Sequence, residues 1–182
     1  MSTRSFIAKE IGDNQYRTIY CHSDGYLTYN GAMLVDHYNT HEAVDELLNL
    51  GDISSLGERT NPDPDRPHKF DYDMRQKGVT VAYGRDRGDK NTEARVMSLA
   101  ELDDPNNWTA YVYIFTQDNE WKYFEAGQSG QGLRSVSGDL GKMYSEHGID
   151  RPEWFYGFLS DASAEYLKSL SGENEEYEMS MS

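Results

Sequence analysis

The clearest strand-forming segments are AYVYIFT (residues 110–116) and EWKYFEA (residues 120–126), which the polar QDN separates. Both segments are dense in aromatic and β-branched residues, which favour strands. The short connection between them, with residues 118–119 at its tip, suits a β-hairpin. A second such pair lies at the N-terminus, where TRSFIAKE (3–10) and YRTIYC (16–21) flank the turn cluster GDNQ. The sequence therefore predicts two hairpins.

Helical patterns lie between these two hairpins. Residues 30–39, NGAMLVDHYN, predict a short helix capped by Asn30, and residues 41–51, HEAVDELLNLG, predict a second helix capped by Thr40. Gly51 is placed to end the second helix. Because hairpins and helices follow each other in irregular order, we predict an α+β fold, an antiparallel β-sheet built from hairpins with several short helices packed on it.

The chain of 182 residues is long enough to bury a core without disulfide bonds. Residues 1–172 are predicted to form a single α+β domain. Within that domain, residues 58–78 have several prolines, many charges and little apolar content, which predicts a mobile charged insert. Residues 173–182 predict an acidic, disordered tail.

Charge is the strongest compositional signal, with 17 basic and 32 acidic side chains and a formal net charge of −15. A negative field of this size repels nucleic acid over most of the surface and attracts basic partners. It also keeps a protein in solution without any further role. Arg85, Arg87 and Lys90 belong to the one basic zone, which interleaved aspartates weaken. There is neither an apolar run of membrane-spanning length nor an apolar signal segment at residues 1–10, so we expect a soluble cytoplasmic protein.

The motif YCHSDGY (20–26) concentrates reactive side chains and poses the question of catalysis or metal binding. A nucleophilic cysteine needs a base and a lowered pKa. His22 follows Cys21 directly, and neighbouring residues on a strand point to opposite faces. The structural alternative is that Cys21 is a buried strand residue and residues 22–25 form the turn. We predict no catalytic residue, no cofactor and no enzymatic activity.

The same region also contains side chains of the types that bind zinc. The ligand-type side chains in this region are Cys21, His22, Asp24, His37 and His41. His37 and His41 have a spacing found in zinc sites, but Asn39 and Thr40 separate two predicted helices between them, and the chain has only one thiol. We therefore predict no metal site.

The glycine-rich GQSGQG (127–132) lacks the lysine of a phosphate-binding loop, so we interpret it as a flexible connector.

Four stretches in the first part of the chain together carry a resemblance. They are MSTRSFIA (1–8), YCHSDGY (20–26), GAMLVDHY (31–38) and LLNLGDISSLGE (47–58). In order and spacing they resemble the opening of a family of small phage and mobile-element proteins, and the match covers roughly the first third of the chain. The full-length chain, with its acidic C-terminal part, resembles an anti-CRISPR protein of the type II-A class.

This resemblance implies an inhibitor that binds a type II RNA-guided DNA nuclease, loaded with its guide, in the cytoplasm of the bacterial host. Such a nuclease holds its nucleic acids in a basic channel, which an acidic DNA-mimicking surface could occupy to block target DNA binding or cleavage. The carboxylates nominated for that surface are Asp103, Asp104, Glu173, Glu175, Glu176 and Glu178. In a second mode, Arg85, Arg87 and Lys90 contact DNA directly. The high aromatic content is compatible with a homodimer.

Two other function classes stay open. One is a small phage enzyme or metal-binding protein that uses the region of Cys21 and His22. The other is an interaction module for a different basic host protein.

Overall fold

The computed structural model describes residues 2–147 and confirms the α+β class, with an eight-stranded, mostly antiparallel sheet and several short helices. The strands are β1 (Ser5–Gly12), β2 (Gln15–Cys21), β3 (Ile53–Ser55), β4 (Val81–Ala82), β5 (Arg95–Met97), β6 (Tyr111–Phe115), β7 (Trp121–Glu125) and β8 (Arg134–Ser135). The α-helices are α1 (Ala32–His37), α2 (His41–Leu48), α3 (Tyr83–Arg87), α4 (Leu99–Leu102) and α5 (Val136–His147).

Both predicted hairpins are present, as β1–β2 and β6–β7. Asn14 takes a positive φ of 52° in the first turn and Asn119 a φ of 61° in the second, a conformation that asparagine tolerates better than most residues. The strand order is β4-β3-β2-β1-β6-β7-β8, with β5 on the free part of β2. The two hairpins join through a parallel pairing of β1 with β6, and β2 also pairs with β3 in parallel. Neither parallel pairing was predicted from the hairpin pattern.

Each face of the sheet buries its own apolar cluster. The larger cluster packs Ile7, Ile19 and Cys21 beneath α1, α2 and α5. The smaller cluster lies on the other face, where Leu102 of α4 covers side chains such as Phe6 and Val112. Adjacent residues of β2 alternate between these clusters because side chains alternate along a strand. Burial of both faces stabilises the sheet through the apolar area removed from water.

The two N-terminal helices differ in how far they match their predicted bounds. Thr40 caps α2 as predicted, since its hydroxyl accepts a hydrogen bond from the Ala43 N–H at 3.1 Å. Asn30 does not cap α1. It lies inside a wide helical turn, Leu27–Gly31, that leads into α1, and its side chain is fully buried. Helix α2 ends at Leu48, and Gly51 follows at a positive φ of 75°.

The charged insert, residues 58–78, folds around one buried amide. The Gln76 side chain donates to the Asp63 and Arg66 carbonyls at 2.8 and 2.9 Å and accepts from the Asp63 N–H at 2.7 Å. The Gln76 N–H in turn donates to His68 Nδ1 at 3.0 Å. These bonds give the insert a defined path. Its mobility stays a prediction, and the acidic tail lies outside the described residues.

Candidate ligand cleft and charged surfaces

The thiol of the YCHSDGY motif is enclosed. Cys21 is fully buried at the end of β2, where its Sγ donates to the Ser23 carbonyl at 3.4 Å and accepts from Asn30 Nδ2 at 3.3 Å. Burial raises the pKa of the Cys21 thiol to about 11. The thiolate is the reactive form of cysteine, so this thiol is a weak nucleophile at neutral pH. The structural interpretation of Cys21 as a buried strand residue is confirmed.

The rest of the motif fastens its turn to the sheet. The Gly25 N–H donates to the Thr3 carbonyl at 2.8 Å, and the Gly25 carbonyl accepts from the Tyr113 hydroxyl at 2.6 Å. A Cβ on Gly25 would lie 2.8 Å from Ser5 Cβ, so the close approach requires glycine. His22 turns away from the thiol, with Nδ1 2.9 Å from the Tyr20 hydroxyl.

The remaining ligand-type histidines have structural contacts. His37 Nε2 lies 2.7 Å from Asp36 Oδ2, and the His41 ring packs edge-on against Phe115 with centroids 5.1 Å apart. Within residues 2–147, no group of three or more His, Cys, Asp or Glu side chains is placed to hold a metal ion.

The turn also contributes two side chains to a cleft with a volume of about 620 Å³. Asp24 and Tyr26 come from the motif, and Tyr29 comes from the helical turn that follows it. Residues 55–57, from the LGDISSLGE stretch, form a second part of the lining, and Tyr72 with residues 75–78 of the charged insert form a third. Clefts of this volume accommodate small molecules. The sequence pattern does not reveal this cleft, because the three segments that line it are distant along the chain.

The basic residues nominated for DNA contact are held differently from one another. Arg85 donates to the Thr60 and Thr80 carbonyls at 2.6 and 2.7 Å and pairs with Asp86 at 2.8 Å. Arg87 pairs with Asp89 at 2.8 Å. Lys90 is exposed. Direct DNA contact by these three stays a prediction, and for Arg85 it would compete with bonds inside the protein.

The nominated carboxylates that the structure describes also have local partners. Asp103 accepts hydrogen bonds from the Gly127 N–H at 2.8 Å and the Ser129 hydroxyl at 2.6 Å, and so holds the GQSGQG loop. Asp104 accepts from the Asn106 N–H at 2.9 Å and caps a short 3₁₀ turn. The four nominated glutamates, Glu173, Glu175, Glu176 and Glu178, lie outside the described residues. Partner binding by all six carboxylates stays a prediction.

A further acidic surface results from the parallel pairing of β1 with β6. Because these strands run in the same direction, the β1–β2 and β6–β7 turns lie side by side, and the Gln117 N–H donates to Glu10 Oε1 at 3.1 Å. Asp13, Asp118 and Glu120 are exposed on these turns. Burial raises the pKa of Tyr16, and the nearby charges of Glu10 and Asp13 raise it further. We call Asp13, Asp118 and Glu120 the acidic turn pair.

No helix of the described residues is both long and apolar enough to cross a membrane. Comparison of the chain with protein-family models, with curated proteins and with solved structures finds no significant match.

Proposed function

We propose that this protein is an anti-CRISPR inhibitor that binds a guide-loaded type II RNA-guided DNA nuclease in the cytoplasm of a bacterial host. It blocks target DNA binding or cleavage by presenting carboxylates to the basic channel of the nuclease. The observation that carries the proposal is the acidic turn pair, whose exposed carboxylates lie on two adjacent turns of the sheet.

The arrangement of positive charge supports the same function. Several arginines pair with carboxylates of the protein itself: Arg59, Arg66, Arg85, Arg87, Arg95 and Arg134. These pairs neutralise part of the basic surface locally, while the whole chain keeps a net charge of −15. A surface of this kind is electrostatically complementary to a channel that binds a nucleic-acid duplex through its backbone.

The proposal is tested by plasmid cleavage with purified guide-loaded type II nucleases, with and without the full-length protein, over a range of salt concentrations. We expect inhibition that weakens as salt rises, because salt screens the attraction between exposed charges. If several nuclease orthologues cleave at an unchanged rate at low salt, the proposed function is wrong.

A charge-reversal pair locates the contact. The double variant Asp118→Lys/Glu120→Lys should weaken inhibition about tenfold or more, since like charges placed in an interface cost several kcal/mol. The matched control is Asp65→Lys/Glu93→Lys, which makes the same change in net charge at exposed positions away from both turns. Equal loss in the two double variants would show that overall charge, and not the acidic turn pair, drives inhibition.

A further inference from the structure

We propose that the cleft between the YCHSDGY turn and the charged insert binds a nucleoside phosphate. This site is independent of the proposed nuclease inhibition and uses different residues. It brings cationic, aromatic and carboxylate side chains from separate segments to one cavity of about 620 Å³. A mononucleotide offers a group to each of these three kinds of partner: a phosphate, a base and ribose hydroxyls.

The cationic part of the cleft is positioned by the insert. Arg75 Nε donates to the Phe70 carbonyl at 2.7 Å, and the guanidinium lies over the rings of Phe70 and Tyr72, 5.3 and 5.8 Å from their centroids. These contacts restrain the guanidinium plane. Its two terminal nitrogens make no hydrogen bond to other described residues, in contrast to the arginines that pair with carboxylates. A restrained guanidinium with free N–H groups is suited to binding two oxygens of a phosphate.

Lys77 adds a second cation to the same lining. It is exposed and has no ion pair within residues 2–147. An ammonium of this kind contributes to phosphate binding as a point charge beside the planar arginine fork. Arg75 likewise forms no ion pair with a described residue, so both cations that line this cavity are open to an anionic ligand.

The aromatic part of the cleft can stack on a base. Tyr26 and Tyr29 meet edge to face with centroids 6.2 Å apart, and the Tyr29 hydroxyl donates to the Leu56 carbonyl at 3.2 Å. Burial raises the pKa of Tyr29, so its phenol stays protonated and keeps this donor. Tyr72 lines the cleft and is 84% exposed, so its ring is accessible to a ligand. Stacking of nucleobases on such rings is strong and tolerates different bases.

The carboxylate of Asp24 supplies the third kind of partner. Asp24 has a positive φ of 54°, next to the closely packed Gly25, so the fold holds its backbone in an uncommon conformation. A carboxylate disfavours phosphate but accepts hydrogen bonds from a ribose hydroxyl or a base amino group. This division of charge favours a nucleoside phosphate over a simple anion.

The test is isothermal titration calorimetry of the full-length protein with the four 5′-mononucleotides, the matching nucleosides and inorganic phosphate. We expect saturable binding of at least one mononucleotide. The matching nucleoside and inorganic phosphate should each bind at least about tenfold more weakly than the mononucleotide, because each lacks one set of contacts. A 5′-phosphorylated tetranucleotide offers the same chemistry at the end of a strand, and its affinity relative to the mononucleotide shows which source the cleft prefers.

Variants assign the binding to the cleft. Arg75→Gln should weaken mononucleotide binding about tenfold or more, as expected for loss of charged hydrogen bonds. The matched control is Arg66→Gln, because Arg66 belongs to the same insert, pairs with Asp63 at 3.2 Å and does not line the cleft. Tyr72→Ala should weaken binding at least about fivefold through lost stacking. Should Arg75→Gln fail to fold, Lys77→Gln replaces it, since Lys77 has an exposed side chain.

Three results would overturn the proposal. The first is the absence of saturable binding for all four mononucleotides at millimolar concentration. The second is equal affinity for inorganic phosphate and mononucleotide, which would reduce the cleft to an anion site. The third is equal affinity in Arg75→Gln and Arg66→Gln. None of these results affects the cleavage assay, so this proposal and the proposed inhibition fail separately.

Discussion

Two basic segments, 75–77 beside the cleft and 85–90 after β4, differ in what their side chains contact. Arg85 donates to two backbone carbonyls and pairs with Asp86, so its guanidinium is part of the structure. Arg75 lines the cleft and uses one nitrogen for a backbone carbonyl, while its other two make no hydrogen bond to a described residue. The comparison shows that a basic residue is available for binding only where the fold does not already use its donors.

The reason for the difference is the buried carboxylate of Asp86. Its side chain is 4% exposed and lies 3.3 Å from His68 Nε2, while its Oδ2 accepts from the Ala82 N–H at 2.8 Å. His68 Nδ1 accepts from the Gln76 N–H, so the ring carries its proton on Nε2 and donates to the carboxylate. Asp86 thus joins α3 to the insert, and no comparable acid occupies the contacts described for Arg75.

Removal of the Asp86 carboxylate should have the largest effect on stability. Asp86→Ala leaves the Ala82 N–H, His68 and Arg85 without their common acceptor, and we expect it to lower the free energy of unfolding by about 3–5 kcal/mol. Urea unfolding measures the change. Asp13→Ala, at an exposed turn, is the control and should stay within about 0.5 kcal/mol of the unmodified protein. Similar losses in both variants would contradict the structural role of Asp86.

The difference between Arg85 and Arg75 can be measured by the stability of one matched variant of each. Arg85→Gln should lower the free energy of unfolding by about 2–3 kcal/mol, because it removes two bonds to buried carbonyls as well as an ion pair. Arg75→Gln should cost only about 1 kcal/mol, since one backbone hydrogen bond and two ring contacts are lost. The same unfolding titrations decide this, and the distinction fails if Arg75→Gln is the more damaging of the two.

The smallest expected effect is on the dependence of stability on pH. Burial alone would raise the pKa of Asp86, but hydrogen bonds from Arg85 and the Ala82 N–H outweigh it, and the pKa is lowered overall. Its contribution to stability is therefore complete above the unfolded-state value of about 3.9 and is lost as pH falls through the lower folded-state value. Unfolding free energies measured from neutral pH downward should show a weaker decline at acidic pH in Asp86→Asn. An identical decline would exclude Asp86 as a source.

Local patterns in the sequence were enough for several features of the fold. The two hairpins follow from strand-forming segments around polar turns, and the alternation of Tyr16 and Ile19 between the two clusters follows from the two-residue period of a strand. Thr40 was identified as a cap because its hydroxyl competes for an N–H only three residues away. Each of these features depends on residues that are close together in the chain.

Asn30 shows where local reasoning stops. As a polar residue before an apolar run, it has the pattern of a helix cap, yet the fold buries it, and its amide donates to Ser5 Oγ at 3.3 Å. That partner is remote in sequence, so no local pattern could reveal the bond. The charged insert is a second example, because its charges and prolines predict a mobile segment and give no sign that Gln76 is buried and organises it.

Local sequence patterns are enough to predict the α+β class, the two hairpins and the cap of α2, and the composition sets the strongly negative charge of the protein. The tertiary structure was needed to show that β1 lies parallel to β6, which brings the β1–β2 turn beside the β6–β7 turn, and that Asp24 and Arg75 line one cleft. The physical reason is that hydrogen bonds between neighbours and side-chain periodicity act over a few residues. Strand pairing and cleft formation depend instead on contacts between segments far apart in the chain, which the burial of both sheet faces selects.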